Sequence, residues 1–150
     1  MSFLSTEPLD PASLFERVLA SSRGAVTSFL GVVRDHHAGR RVTELDYSAY
    51  GPMAEAECAS IVAEAEAAWP VSVALAHRIG RLAIGDLAVA VVVAGDHRDE
   101  AFAACRSVIE AVKRRVPIWK RERYEDGTEA WVDPTAASGA APVAEGRLTS

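Results

Sequence analysis

The sequence predicts a single α+β domain of about three helices and a mixed or antiparallel sheet, filling residues 1–133, with a flexible tail at 134–150. Three observations predict it. Segments with helical and with strand periodicity follow one another in irregular order, not as a regular βαβ repeat. The unbroken apolar run at 87–94 (LAVAVVVA) reads as a central strand buried on both faces. Two stretches at 119–124 and 129–133 flank the turn Glu125-Asp126-Gly127, the pattern of a hairpin. Five or six strands are expected in all.

Taken in order, Asp10-Pro11 opens a first helix, with Asp10 as cap, Pro11 at the first helical position and Leu9 stapled onto Leu14. Leu14, Phe15, Val18 and Leu19 form its apolar face, and Ser21-Ser22-Arg23-Gly24 ends it. Residues 25–33 read as a strand in which Gly31 marks a bulge or a close backbone approach. A polar loop at 34–41 carries His36-His37. Residues 42–50 alternate, Leu45 and Tyr47 on one face and Glu44, Asp46 and Ser48 on the other. A helix over 51–69 turns Cys58, Ile61, Val62, Ala65 and Trp69 inward and Glu55, Glu57, Glu64 and Glu66 outward, until Pro70 stops it. Val71, Val73, Leu75, His77 and Ile79 share one face of a third strand, and 80–86 reads as a connection with turn chemistry at both ends. After the apolar run, Asp96 is the expected N-cap of a third helix. Its buried face is Phe102, Cys105, Ile109, Val112 and Val116, Glu110 pairs with Arg114 four residues on, and Pro117 ends it. The tail beyond Pro134 has almost no apolar bulk.

Composition narrows the function classes. The 150 residues are 49% hydrophobic and 25% charged, which suits one globular core. No run of 18 apolar residues predicts a membrane span, and the N-terminal MSFLSTEPLD lacks the basic and apolar parts of a secretory signal, so a cytoplasmic protein is expected. Cys58 and Cys105 read as buried free thiols of a reducing compartment. The two Cys and four His show no metal-ligand spacing, so no metal is expected. A net charge of −5 argues against nonspecific nucleic-acid binding.

Against that acidic background, residues 113–123 (KRRVPIWKRER) hold six of the sixteen basic residues and the only two lysines, Lys113 and Lys120. Arginine does not lose its proton in a protein, whereas lysine does and then serves as nucleophile or base. Pro117 separates the two, so Lys113 falls in a last helical turn and Lys120 on the extended segment after it. Arg34, His97 and Arg98 fall at element ends, where binding groups concentrate. A concave site built from these five would hold a phosphate or carboxylate beside a titratable amine. The nearby Arg114, Arg115 and Arg121 are expected to lower a lysine pKa. The same residues also fit plainer roles: a solvated basic edge for the lysines, an exposed first turn for His97-Arg98, a surface side chain for Arg34. His77 reads as a satisfied core histidine, His36-His37 as a weak metal hint in a loop facing water, and Trp119 and Trp131 as hairpin packing. A non-catalytic module binding an anionic ligand or a partner's tail is the competing reading, and nucleic-acid binding stands third. Two lysines retained among fourteen arginines favour chemistry, because a purely electrostatic patch tolerates arginine at both places.

The chain resembles the MoaE family, the catalytic (large) subunits of molybdopterin synthase. The likeness spans about residues 25–133 and rests on TSFLGVVRDH at 27–36, YGPMAEAE at 50–57, HRIGRLAIGD at 77–86, GDHRDEAF at 95–102 and VKRRVPIWKRE at 112–122, followed by Trp131-Val132. The resemblance implies an α/β hammerhead-like fold with extra strands. It implies a sulfurtransferase that moves sulfur from the C-terminal Gly-Gly thiocarboxylate of a small ubiquitin-like carrier subunit to cyclic pyranopterin monophosphate, forming the molybdopterin dithiolene. It further implies a homodimer within a heterotetramer, no cofactor, Lys113 and Lys120 as the catalytic residues, and Arg34, His97, Arg98 and Phe29 at the substrate. The chain departs from the family in the neutral stretch Pro134-Thr135-Ala136-Ala137, where further basic residues are common and Arg147 is the only candidate. Ile109, one turn before Lys113, is assigned to packing alone.

Overall fold

A computed structural model of the chain describes residues 2–132. The elements run β1 (Leu4–Ser5), α1 (Pro11–Val18), β2 (Ala25–Val32), β3 (His36–His37), β4 (Arg40–Ala49) and α2 (Gly51–Ala68). They continue through β5 (Val71–Arg78), β6 (Gly80–Ala83), β7 (Leu87–Gly95), α3 (Arg98–Arg115), β8 (Ile118–Tyr124) and β9 (Glu129–Val132). The α+β class and the three helices are as expected. The expected tail lies outside the described residues.

Two sheets form. The first has the order β1-β5-β7-β2, antiparallel except where β1 runs parallel to β5. The second has the order β3-β4-β8-β9, all antiparallel, with β6 also paired to β4. β7 shows why its run of eight apolar residues is needed. It is paired on both edges, and helices cover both its faces. Ala90, Val92 and Ala94 pack with Leu14 and Val18 of α1. Val89, Val91 and Val93 enter the main core with Cys58, Ile61 and Ala65 of α2 and Ala104, Val108 and Val112 of α3. Alanines on the α1 side leave room for that helix to lie close.

α1 is capped as expected, Asp10 accepting from the Ala12 N–H at 3.1 Å. Its apolar face is narrower than expected: Phe15 and Leu19 are exposed, because a helix of eight residues rests on one stripe through Leu14 and Val18. On α3 the buried stripe runs through Ala101, Ala104, Cys105, Val108 and Val112, and Phe102, expected inside, turns away and is 59% exposed. His97, not Asp96, is the N-cap residue, and Glu100 accepts its backbone N–H at 2.5 Å. Glu110 pairs with Arg106 at 3.3 Å rather than with Arg114. Of the outward glutamates of α2, Glu55 holds the N-terminal strand, accepting from the Phe3 N–H at 2.9 Å and the Leu4 N–H at 3.0 Å.

The expected connection at 80–86 contains a strand. Gly80, at φ 96°, turns the chain out of β5, and β6 then crosses to β4, where buried Leu82 lies opposite Leu45. β4 is thereby paired along both edges over Glu44 to Tyr47, with β6 on one side and β8 on the other. Short strands of this kind, with the two-residue β1 and β3, raise the count from the expected five or six to nine among the described residues. No helix among the described residues is long and apolar enough to cross a membrane.

Candidate active site

Pro117 sets the geometry of the two lysines. It stops α3 at Arg115, Val116 adopts an extended backbone (φ −79°, ψ 125°), and β8 starts at Ile118. Lys113 therefore projects from the last turn of α3. Lys120 projects from β8, opposite Tyr47 of β4. Alternation along β8 places Ile118, Glu122 and Tyr124 inside the fold and leaves Trp119, Arg121 and Arg123 outside. The third approach is the end of β2, where the register slips between Gly31 and Val32. The bulge reading of Gly31 holds, and the close approach is to a side chain and not to backbone, since a Cβ there would stand 2.6 Å from Val89 Cγ1. Arg34 follows directly.

These elements enclose a cavity of about 320 Å³. Its apolar wall is Phe29 to Val33 with Ala88 and Val89, and its polar wall is Arg34, His36, Tyr47, Lys113, Lys120 and Glu122. The size and the mix of an apolar wall with a few converging polar groups suit a small organic anion. Of the six residues expected at the site, Phe29, Arg34, Lys113 and Lys120 meet here. His97 and Arg98 do not. They stand exposed at the opposite end of α3, about 22 Å from Lys113 along the helix axis at ~1.5 Å per residue.

Burial pushes Lys113 below the ordinary lysine range, and the charges of Lys120 and Arg34 add to it. The expected depression of a lysine pKa is thus present, but from burial, Lys120 and Arg34 instead of Arg114, Arg115 and Arg121. Arg115 is engaged with Glu57 and Glu64 at 3.2 and 2.8 Å, and Arg121 with Asp46 at 3.2 Å on the solvent face of β4 and β8. Behind the cavity His77 is buried, and its Nδ1–H donates to the Arg78 carbonyl at 2.8 Å, as a core histidine should. Burial drives its pKa down to about 4, the Lys113 charge adds to this, and the Arg78 hydrogen bond opposes it. The ring stands edge-on to Tyr47, centroids 5.1 Å apart. Burial and the Glu122 charge push the Tyr47 phenol up to about 12, so it keeps its proton.

Glu122 is the residue that the sequence reading missed. It is 2% exposed, and its Oε2 lies 3.6 Å from Lys120 Nζ. Its Oε1 accepts from Tyr124 Oη at 2.8 Å and from His37 Nδ1 at 2.9 Å. The signal was available: on a strand, Lys120, Glu122 and Tyr124 share one face. His37 turns inward to this carboxylate instead of facing water, while His36 lines the cavity.

Comparison with known proteins gives a consistent family. The model of the MoaE protein family matches residues 4–115. The molybdopterin synthase catalytic subunit of Bacillus subtilis is 40% identical over 140 residues, covering 93% of this chain and 88% of that protein. The X-ray structure of molybdopterin synthase from Staphylococcus aureus superposes with a TM-score of 0.83 at 39% identity, over 87% of this chain and 96% of that one. A Helicobacter pylori complex of subunits 1 and 2 of molybdopterin-converting factor shares the fold, with a TM-score of 0.70 at 22% identity over 97% and 90% of the two chains. With the family model covering most of the chain and a relative at 40% identity over nearly all of it, the chain belongs to the MoaE family.

Proposed function

We propose that this chain is the catalytic subunit of a molybdopterin synthase, a sulfurtransferase working in the cytoplasm. It moves sulfur from the C-terminal thiocarboxylate of a small ubiquitin-like carrier to cyclic pyranopterin monophosphate, building the dithiolene. The observation that carries the reading is Lys113, an amine desolvated at a small cavity beside two further cations, Lys120 and Arg34. A lysine in that setting is neutral for a larger share of the time than one in water, so it can take and return protons or receive an acyl group. Arg34 and Lys120 hold the anionic groups, the substrate phosphate and the carrier's terminal carboxyl, through charge-assisted hydrogen bonds. Phe29 and the apolar end of β2 form the wall for the flat pterin.

His97 and Arg98 enter this scheme from a second copy. β2 is an edge strand with exposed Phe29, Leu30 and Val32. Ala25 at its start lies opposite Gly95, just before α3, and its other end leads to Arg34. A two-fold pairing of β2 with β2 of another copy runs antiparallel. It lays the His97-Arg98 end of each chain against the Arg34-Lys113 end of the other. The carrier then binds once to each copy, giving a heterotetramer.

The test is to mix the chain with cyclic pyranopterin monophosphate and a thiocarboxylated carrier and to assay dithiolene. Product is expected with the intact carrier. None is expected with one lacking its last two glycines, although its globular body still docks by calorimetry. Equal product from the truncated carrier contradicts the reading.

A further inference from the structure

We propose that His37 and Tyr124 are positioning residues for Lys120, acting through the carboxylate of Glu122; the inference rests on the sulfur-transfer reading above. Glu122 is almost fully buried, and its two oxygens are treated differently. Both side-chain donors, the His37 Nδ1–H at 2.9 Å and the Tyr124 O–H at 2.8 Å, fall on Oε1. A carboxylate only accepts, so Nδ1 carries the proton in that contact. Oε2 is left to Lys120, and there the separation is 3.6 Å. That distance is within ion-pair range but beyond a direct N–H···O hydrogen bond. Lys120 is thus anchored by charge without being captured.

The arrangement has a directional consequence. A buried carboxylate that loses its other donors turns to whatever donor remains, since leaving it unsatisfied is costly. Without the His37 and Tyr124 donors, the nearest cation is the Lys120 ammonium. Glu122 would close on it and hold the Lys120 side chain against the cavity wall, away from a bound substrate. The two donors on Oε1 prevent this. The other charged or titratable groups lining the cavity, Arg34, His36, Lys113 and Tyr47, make no hydrogen bond to Glu122 that could replace them, and His36 is held by Asp35 at 2.9 Å. The donors are themselves held. The short strand β3 pins His37 opposite Arg40 of β4, and the Arg40 guanidinium lies 3.7 Å over the Tyr124 ring.

The test reads Lys120 directly. The chain has only two lysines, so acetylation by a small activated ester, followed by peptide mass spectrometry, compares Lys120 with Lys113 inside one molecule. In the His37→Ala, Tyr124→Phe double variant, acetylation of Lys120 relative to Lys113 falls by roughly tenfold or more, the scale of the one charge-assisted hydrogen bond that Lys120 gains from Glu122. In the sulfur-transfer assay kcat falls with it and KM changes little. Each single variant shows a smaller effect, because one donor stays on Oε1. His37→Asn places an amide N–H near the position of Nδ1 and recovers most of what His37→Ala loses. Tyr124→Phe alone keeps the ring under Arg40, so it reports even if the double variant fails to fold. A folded double variant, or a folded Tyr124→Phe, with Lys120 acetylated at the wild-type ratio overturns the proposal. If acetylation responds as stated but wild-type protein makes no dithiolene, the positioning role stands and the sulfur-transfer reading falls.

Discussion

At the scale of single residues, the chemistry was legible where residue type was informative and hidden where only a neighbour gave it meaning. Lys113 and Lys120 stood out as the only lysines among fourteen arginines, and the cavity does bring them together with Arg34. Glu122 did not stand out, because in the string Lys-Arg-Glu-Arg it reads as one more surface charge. Only the pairing of β8 with β4 turns it inward. His77 was read as core, and its surroundings add a pH dependence. Its folded pKa, about 4, lies below the unfolded value near 6.5, so between these pH values the unfolded chain binds the extra proton. The stability it permits is full above pH ~6.5, is lost as pH falls toward ~4, and changes no further below. The loss amounts to about 3 kcal/mol. Urea midpoints measured from pH 8 to 4 should fall for wild type. They should fall less for His77→Asn, which starts lower for want of the ring against Tyr47. Parallel slopes in the two proteins would remove His77 as the cause.

At the scale of elements, the strongly periodic segments were readable and the short ones were not. β7, α2 and α3 announce themselves through long runs, whereas β1, β3 and β6 have two to four residues and exist because a partner strand is present. β6 begins at Gly80 and ends two residues before Gly85, both glycines at positive φ, so the turn chemistry masked Leu82, which is fully buried. The bulge of β2 was visible as Gly31 in a β-branched run. Its consequence is testable, since a methyl group there meets Val89 at 2.6 Å across the β2–β7 pair. Gly31→Ala should cost about 1–3 kcal/mol of stability, the range for overpacking a core, and should reduce sulfur transfer because the residue lines the cavity. A urea midpoint equal to wild type would mean that β2 shifts freely.

At the scale of the whole molecule, the two halves of the expected site are about 22 Å apart in one chain, by the ~1.5 Å rise per helical residue. No reading of one sequence reveals that, because motif order says nothing of which copy supplies a side chain. If His97-Arg98 serves the pocket of a second copy, two inactive variants should rescue each other. Lys113→Arg supplies an intact Arg98, and Arg98→Ala supplies an intact Lys113. Mixing equal amounts under conditions of subunit exchange should restore about a quarter of the wild-type sites, one pocket in each mixed dimer and half of all dimers mixed. No recovery from a mixture confirmed to exchange would place Arg98 with its own chain's Lys113, or outside the site.

The claim on which the rest depends is that Lys113 works as an amine and not merely as a charge. Lys113→Arg keeps the charge and removes the proton exchange. Single-turnover sulfur transfer from thiocarboxylated carrier to cyclic pyranopterin monophosphate tests it most directly. The account predicts a fall of roughly 10²–10⁴-fold in the chemical step, with carrier binding retained. A Lys113→Arg protein that forms dithiolene at the wild-type rate would contradict it.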